Sequence, residues 1–171
     1  MKVKNNSQLA VRLHLTNVAG AGAIQLLESL LPALELCSSF TITEIYLPDR
    51  GVLANYLPRS TLIHVNKYQR WLPNVLSRFL ECTLLARRFD GEQPLLVLGD
   101  LPLRCNALQT VFVQNSLLLR PSKFRWSIES IKLAISRMVF RLNMHYASSF
   151  IVQTKLMKNA LIKSYPELRN K

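Results

Sequence analysis

Acidic residues are scarce in this 171-residue chain, with ten Asp and Glu against 22 Lys and Arg and a net charge of +12. That imbalance points to an anionic partner: nucleic acid, an acidic membrane face or phosphorylated substrates. Cysteines are few and far apart. Cys37, Cys82 and Cys105 lack the C-x-x-C or Cys/His pair spacing of a zinc site or redox motif. They read as small buried residues or free thiols in a reducing cytosol. The three histidines, His14, His64 and His145, stand apart from one another, and no Ser/His/Asp or H-E-x-x-H spacing links them to a nucleophile or metal. No apolar run reaches the ~20 residues that cross a bilayer, and no charged-then-apolar signal opens the chain, so a cytoplasmic location is expected.

What is present is a globular composition. Hydrophobic residues make up 49% of the chain, no stretch has the composition of a linker, and no repeat or low-complexity segment appears. One domain over residues 1–171 is expected. The charge is unevenly placed: residues 1–119 hold 11 Lys/Arg against 8 Asp/Glu, whereas residues 120–171 hold 11 against 2. Most of the basic excess belongs to the last third.

Short strand-like runs alternate with longer helical patterns. The runs are 10-AVRLHL-15, 41-TITEIYL-47, 61-TLIHV-65, 95-LLVLG-99, 110-TVFVQ-114 and 149-SFIVQ-153, several of them too apolar for a sheet wet on one face. Helical patterns cover about 23–36, 68–89, 124–146 and 155–164, with a short turn near 51–57. Strand and helix alternating in this way predict an α/β fold: a single doubly wound, Rossmann-like parallel sheet with helices on both faces. Prolines 48, 58, 94, 102, 121 and 166 all fall at proposed element ends.

Ligands of such sheets bind beyond the carboxyl ends of the strands, near the point where strand order reverses. The segments there are Asn17–Ala23, Tyr46–Gly51, Asn66, Gly99–Leu101, Gln114–Leu119 and Thr154 with Lys155. In the first, Gly20 and Gly22 make a turn that lets backbone amides approach a phosphate, or that serves only a tight strand-to-helix geometry. A dinucleotide fingerprint is incomplete. Gln25 stands where the third glycine belongs, Glu44 comes too early in the second strand and Asp49 lies beyond Pro48, which argues against a nicotinamide cofactor. In 111-VFVQNSLLLRPSKF-124, the polar Gln114, Asn115 and Ser116 interrupt an apolar run. Their side chains suit sugar hydroxyls or phosphate oxygens, with Arg120 and Lys123 alongside, and Asn115 equally suits the satisfaction of loop backbone.

The pattern 124-FRWSIESIKLAISRMVFRLNMHY-146 carries two apolar rows. Ile128, Ile131, Ile135, Met138, Val139 and Leu142 form a broad stripe expected to face the sheet. Trp126, Leu133, Phe140 and Met144 form a narrower row, flanked by Arg125 and Lys132 on one side and Lys123, Arg137 and Arg141 on the other. An apolar row bordered by cations suits a helix lying in an anionic membrane surface, which makes Trp126, Lys132, Arg137, Phe140 and Arg141 the candidate membrane contacts. The same row equally suits packing on a neighbouring helix or partner domain. Nucleic acid is not expected as a partner, because no reading module accompanies the charge.

Three stretches, 17-NVAGAGAIQLLESLLPAL-34, 111-VFVQNSLLL-119 and 147-ASSFIVQTKLMKNALIK-163, resemble the amino-terminal half of a GT-B-type retaining glycosyltransferase of the large family that uses nucleotide-sugar donors. The resemblance implies a donor and acceptor cleft at Asn17, Gly20, Gly22, Gln114, Asn115, Ser116, Arg120 and Thr154. Many relatives carry a histidine in the loop where Gln114 and Asn115 stand; this chain has none there. Retaining members require no protein nucleophile, so no catalytic residue is assigned. Such enzymes hold the nucleotide-sugar mainly in a carboxyl-terminal donor domain, which is expected to be absent from a chain ending at Lys171, leaving either a fragment or truncated product, or a lobe completed by a separate chain.

The expected function is therefore the acceptor-side domain of an enzyme transferring sugar from a nucleotide-sugar to a saccharide or lipid-linked acceptor in surface polysaccharide or lipopolysaccharide assembly. It would work at the inner face of the cytoplasmic membrane and use no metal or resident cofactor. The alternative is a non-catalytic Rossmann-like binding or interaction protein, or a truncated relic.

Overall fold

The computed structural model describes residues 8–18, 21–69, 72, 74–119 and 127–171. Its strands are β1 (Leu9–His14), β2 (Phe40–Pro48), β3 (His64–Tyr68), β4 (Leu95–Val97), β5 (Gln109–Val113) and β6 (Ala147–Val152). Its helices are α1 (Ala21–Glu35), α2 (Asn74–Cys82), α3 (Ile128–Asn143) and α4 (Lys155–Ser164). The strands form one sheet in the order β3-β2-β1-β4-β5-β6, and every pairing in it is parallel. This is a doubly wound, Rossmann-like α/β sheet, with its order reversing between β1 and β4.

Alternating side chains feed two cores, one on each face. Leu13, Leu15, Ile45 and Leu98 pack with Leu27 and Leu31 of α1. Leu95, Val97, Val111 and Val113 pack on the other face with Cys82 of α2, Val139 and Phe140 of α3, and Leu161 of α4. Burial on both faces is why these strands read as nearly continuous apolar runs.

Three elements depart from the sequence expectation. β3 starts at His64 rather than 61, because Ser60–Ile63 close a turn through Ile63 N to Ser60 O at 3.3 Å, and Leu62 is left exposed. The helix expected over 68–89 is confined to α2 and a 3-10 turn at Ala86–Phe89. The residue before Pro73 is disfavoured as helix, and at the other end the Thr83 hydroxyl donates to Phe79 O at 2.6 Å. Between β4 and β5 the chain crosses back with no helix at all, and buried Leu101, Leu103, Cys105 and Ala107 supply that layer directly. Gln109 fastens this crossing: its Nε2 donates to Leu103 O at 2.7 Å and its Oε1 accepts from Leu103 N at 2.9 Å.

α3 corrects the orientation read from periodicity. Phe140, expected at a membrane surface, is 0% exposed, with its ring centroid 4.8 Å from Tyr165 and 5.6 Å from Phe150. Met144 is buried with it, whereas Ile128, Ile131, Met138 and Leu142 of the supposed inner stripe face solvent. The helix is turned by roughly 100° from the expected setting. Two interactions fix that rotation. Aromatic packing favours Phe140 inside, and buried Asn143 donates through Nδ2 to Cys82 O at 2.8 Å and Pro102 O at 3.0 Å. A buried amide without those acceptors would cost about 1–3 kcal/mol, so Asn143 locks inward the face of the narrower apolar row.

Phe140→Ala is expected to lower the unfolding free energy by about 3–5 kcal/mol, and Ile131→Ser to change it by less than about 0.5 kcal/mol. Urea denaturation checks both, and the reverse order would contradict the rotation.

Candidate functional site

The reversal point places the ends of β1 and β4 side by side at the carboxyl rim of the sheet. Leu98 N donates to His14 O at 2.9 Å, carrying the β1–β4 contact just past β4. Gly99 then passes against Asn17 so closely that an added Cβ would lie 2.8 Å from the Asn17 Cβ and 3.2 Å from its carbonyl carbon. Only glycine allows β4 to leave the sheet along that line.

Below this contact sits a buried polar cluster centred on Glu81 of α2. His14, Thr16, Asn17 and Glu81 are all buried. Glu81 Oε1 accepts from Thr16 Oγ1, from Asn17 Nδ2 at 3.3 Å and lies 3.0 Å from His14 Nε2. Thr16 Oγ1 also lies 3.0 Å from His14 Nε2. Burying a carboxylate is costly unless several donors face it, and residues 14–17 at the end of β1 supply them. His14 additionally sits edge-on to Phe89, with centroids 4.6 Å apart, so its apolar ring atoms are packed as well.

A second carboxylate ties in the end of β5. Asp100 adopts φ 67, a left-handed setting that Asp tolerates better than most residues. There its Oδ1 accepts from Gln114 N at 2.6 Å and Asn115 N at 3.0 Å. Burial raises the Asp100 pKa above its ordinary value, while those two N–H groups and the charge of Arg78 pull it back down. Arg78 of α2 donates through Nη2 to Asn17 O at 2.8 Å, so one guanidinium serves both halves of the rim.

Several buried polar atoms at this rim find no partner among the described residues: Asn17 Oδ1, His14 Nδ1, Glu81 Oε2, Arg78 Nε and Gln114 Nε2. Orphaned polar atoms of this kind are uncommon in folded interiors and call for water or ligand. Donors and acceptors together suit a hydroxyl-rich or phosphate-bearing molecule.

Of the residues expected at a cleft, Asn17 and Gln114 meet at this rim through Gly99 and Asp100. Asn115 caps the short 3-10 turn Ser116–Leu118, its Oδ1 accepting from Leu117 N at 3.0 Å, and Ser116 lies exposed in that turn. Thr154 is the N-cap of α4, accepting from Met157 N at 3.1 Å, and it follows β6 at the sheet edge, away from the β1–β4 junction. Gly22 falls in the first turn of α1. Gly20, Arg120 and Trp126 lie outside the described residues. Lys132, Arg137 and Arg141 belong to α3, which lies between β5 and β6 in chain order.

Glu81, Arg78 and Asp100 were not singled out from the sequence. Nothing local in the sequence marks Glu81 or Arg78; Ser77, Glu81 and Cys82 share the buried side of α2 only in the folded chain. Asp100 lay inside the flagged Gly99–Leu101 segment. Among the described residues, no group of three or more His, Cys, Asp or Glu is placed to hold a metal ion, and no helix is long and apolar enough to cross a membrane. Compared with known proteins, the chain matches no protein-family model and no curated protein.

Because the native Asp100 pKa lies above the unfolded value of 3.8, the folded state holds that proton to higher pH. The stability Asp100 contributes is therefore present below 3.8 and declines as pH rises through the raised native value. Asp100→Asn keeps the Oδ1 acceptor and removes the charge, so its melting temperature relative to the parent should rise from acid to neutral pH. Calorimetric scans of both proteins across that range check the sign; a relative fall would contradict it.

Proposed function

We propose that this chain is the acceptor-side, Rossmann-like lobe of a GT-B-type retaining glycosyltransferase. In this reading it binds a saccharide or lipid-linked acceptor at the β1–β4 rim, facing a nucleotide-sugar held by a donor lobe. It works at the cytoplasmic face of a membrane, in surface polysaccharide or glycolipid assembly. The observation that supports the reading is the convergence of Asn17 and Gln114 on one rim, each with a buried amide atom lacking a partner among the described residues. Amides recognise sugar hydroxyls without an ionised group. A transferase of this kind needs acceptor and donor positioned together in one water-poor cleft, and the carboxyl rim of a doubly wound sheet is where such clefts form.

One observation favours a second reading, a non-catalytic binding module. Both carboxylates at the rim, Glu81 and Asp100, are engaged by donors of the chain itself. A group so held is a scaffold rather than an acid or base poised for substrate.

Transfer from labelled nucleotide-sugars to lipid-linked saccharides, with a donor lobe of that family supplied, separates the two. The glycosyltransferase reading expects product, and expects Asn17→Ala with Gln114→Ala to lower its rate about 25-fold, at about 1 kcal/mol for each lost hydrogen bond. Acceptor binding without transfer by any donor supports the binding module instead.

A further inference from the structure

An open groove of about 730 Å³ runs between α3 and α4. Leu118, Leu119 and Met138 give it an apolar lining, while Arg137 and Arg141 of α3 and Lys163 of α4 bring cations to both walls. Its floor is fastened from two sides. Ser164 Oγ donates to Leu119 O at 2.6 Å, and Arg137 Nη2 donates to Leu117 O at 2.6 Å. The charges of Arg137 and Arg141 reach the phenol of Tyr165, which also lines the groove. Among the described residues, no carboxylate lines it.

The rotation of α3 extends this surface. Ile128, Ile131, Met138 and Leu142 stand exposed along the same helix, and Met138 belongs to both the row and the groove. Water-facing apolar residues beside cations, with a concavity between them, match an amphiphile whose head is an anion. A second copy of this chain would bring cation against cation, which the charge placement disfavours.

We propose that the groove between α3 and α4 binds an anionic phospholipid of a membrane surface, its phosphate held by Arg137, Arg141 and Lys163 and its chain lying against Met138 and the exposed row. The site includes none of Asn17, Arg78, Glu81, Asp100 and Gln114, so vesicle binding is read separately from any transferase activity.

Co-sedimentation of the full chain with phosphatidylcholine vesicles, with and without phosphatidylglycerol, tests it. Binding is expected only with phosphatidylglycerol. Arg141→Gln with Lys163→Gln should weaken it about 25-fold, at about five-fold per cation removed near an anionic surface. The charge-matched pair Arg50→Gln with Arg59→Gln, at exposed positions flanking the Val52–Asn55 turn, should leave it within about two-fold of the parent. Met138→Glu, at a half-exposed position, should weaken it as the α3–α4 pair does, which covers a pair variant that loses its fold. Equal binding to neutral vesicles, equal loss in the Arg50/Arg59 variant, or tighter retention on RNA or an acidic peptide than on phosphatidylglycerol vesicles would each overturn the proposal.

Discussion

The fold's polar architecture depends on the burial of the Glu81 carboxylate. A carboxyl group removed from water demands partners, and here one oxygen gathers Thr16, Asn17 and His14 from the end of a single strand. The demand works in both directions. It holds α2 against the sheet, and it fixes the backbone where β1 leaves the sheet. Gly99 can then slide past Asn17, Asp100 can reach the amides that end β5, and Arg78 can bridge back to the Asn17 carbonyl. Removal of one partner from such a buried cluster typically costs about 1–3 kcal/mol, because the remaining groups lose their partner and cannot regain water.

Much of the sheet was legible because a strand buried on both faces must be apolar at every position, and such runs are visible without any neighbour. α4 was equally readable, with Thr154 in the N-cap position and an amphipathic pattern ending at Ser164. α3 was not. It carries two apolar rows, and periodicity ranks rows by breadth, whereas the protein chose by what each row meets: aromatic rings for Phe140 and two carbonyls for Asn143. The helix-free crossing between β4 and β5 was hidden for a similar reason. Gln109, which substitutes for strand pairing along Leu103, looks like any polar residue at a strand start. At the rim, Asn17 and Gln114 were marked by position after a strand. Glu81 and Arg78 come from a helix distant in sequence, and only the tertiary fold brings them there.

Two surfaces of opposite character result. The carboxyl rim is small, largely buried and rich in amides, suited to reading a neutral polar ligand. The α3–α4 side is open, apolar and cationic, suited to a charged interface. The same rotation of α3 that closes the aromatic core exposes Met138 and its row, so the interior packing of Phe140 and the character of the outer surface are one choice made by the sequence.

The proposal to be tested is that Asn17 Oδ1 and Gln114 Nε2, which lack partners among the described residues, meet a ligand at the rim, whereas the side-chain amides of Gln109 and Asn143 serve the fold. Side-chain amide resonances of the isotopically labelled chain, followed during titration with oligosaccharides and nucleotide-sugars, test it directly. The account predicts saturable shifts at Asn17 and Gln114, with Gln109 and Asn143, whose amides are bonded to core carbonyls, unmoved. Silence at Asn17 and Gln114 across these ligands, or shifts confined to Gln109 and Asn143, would contradict it.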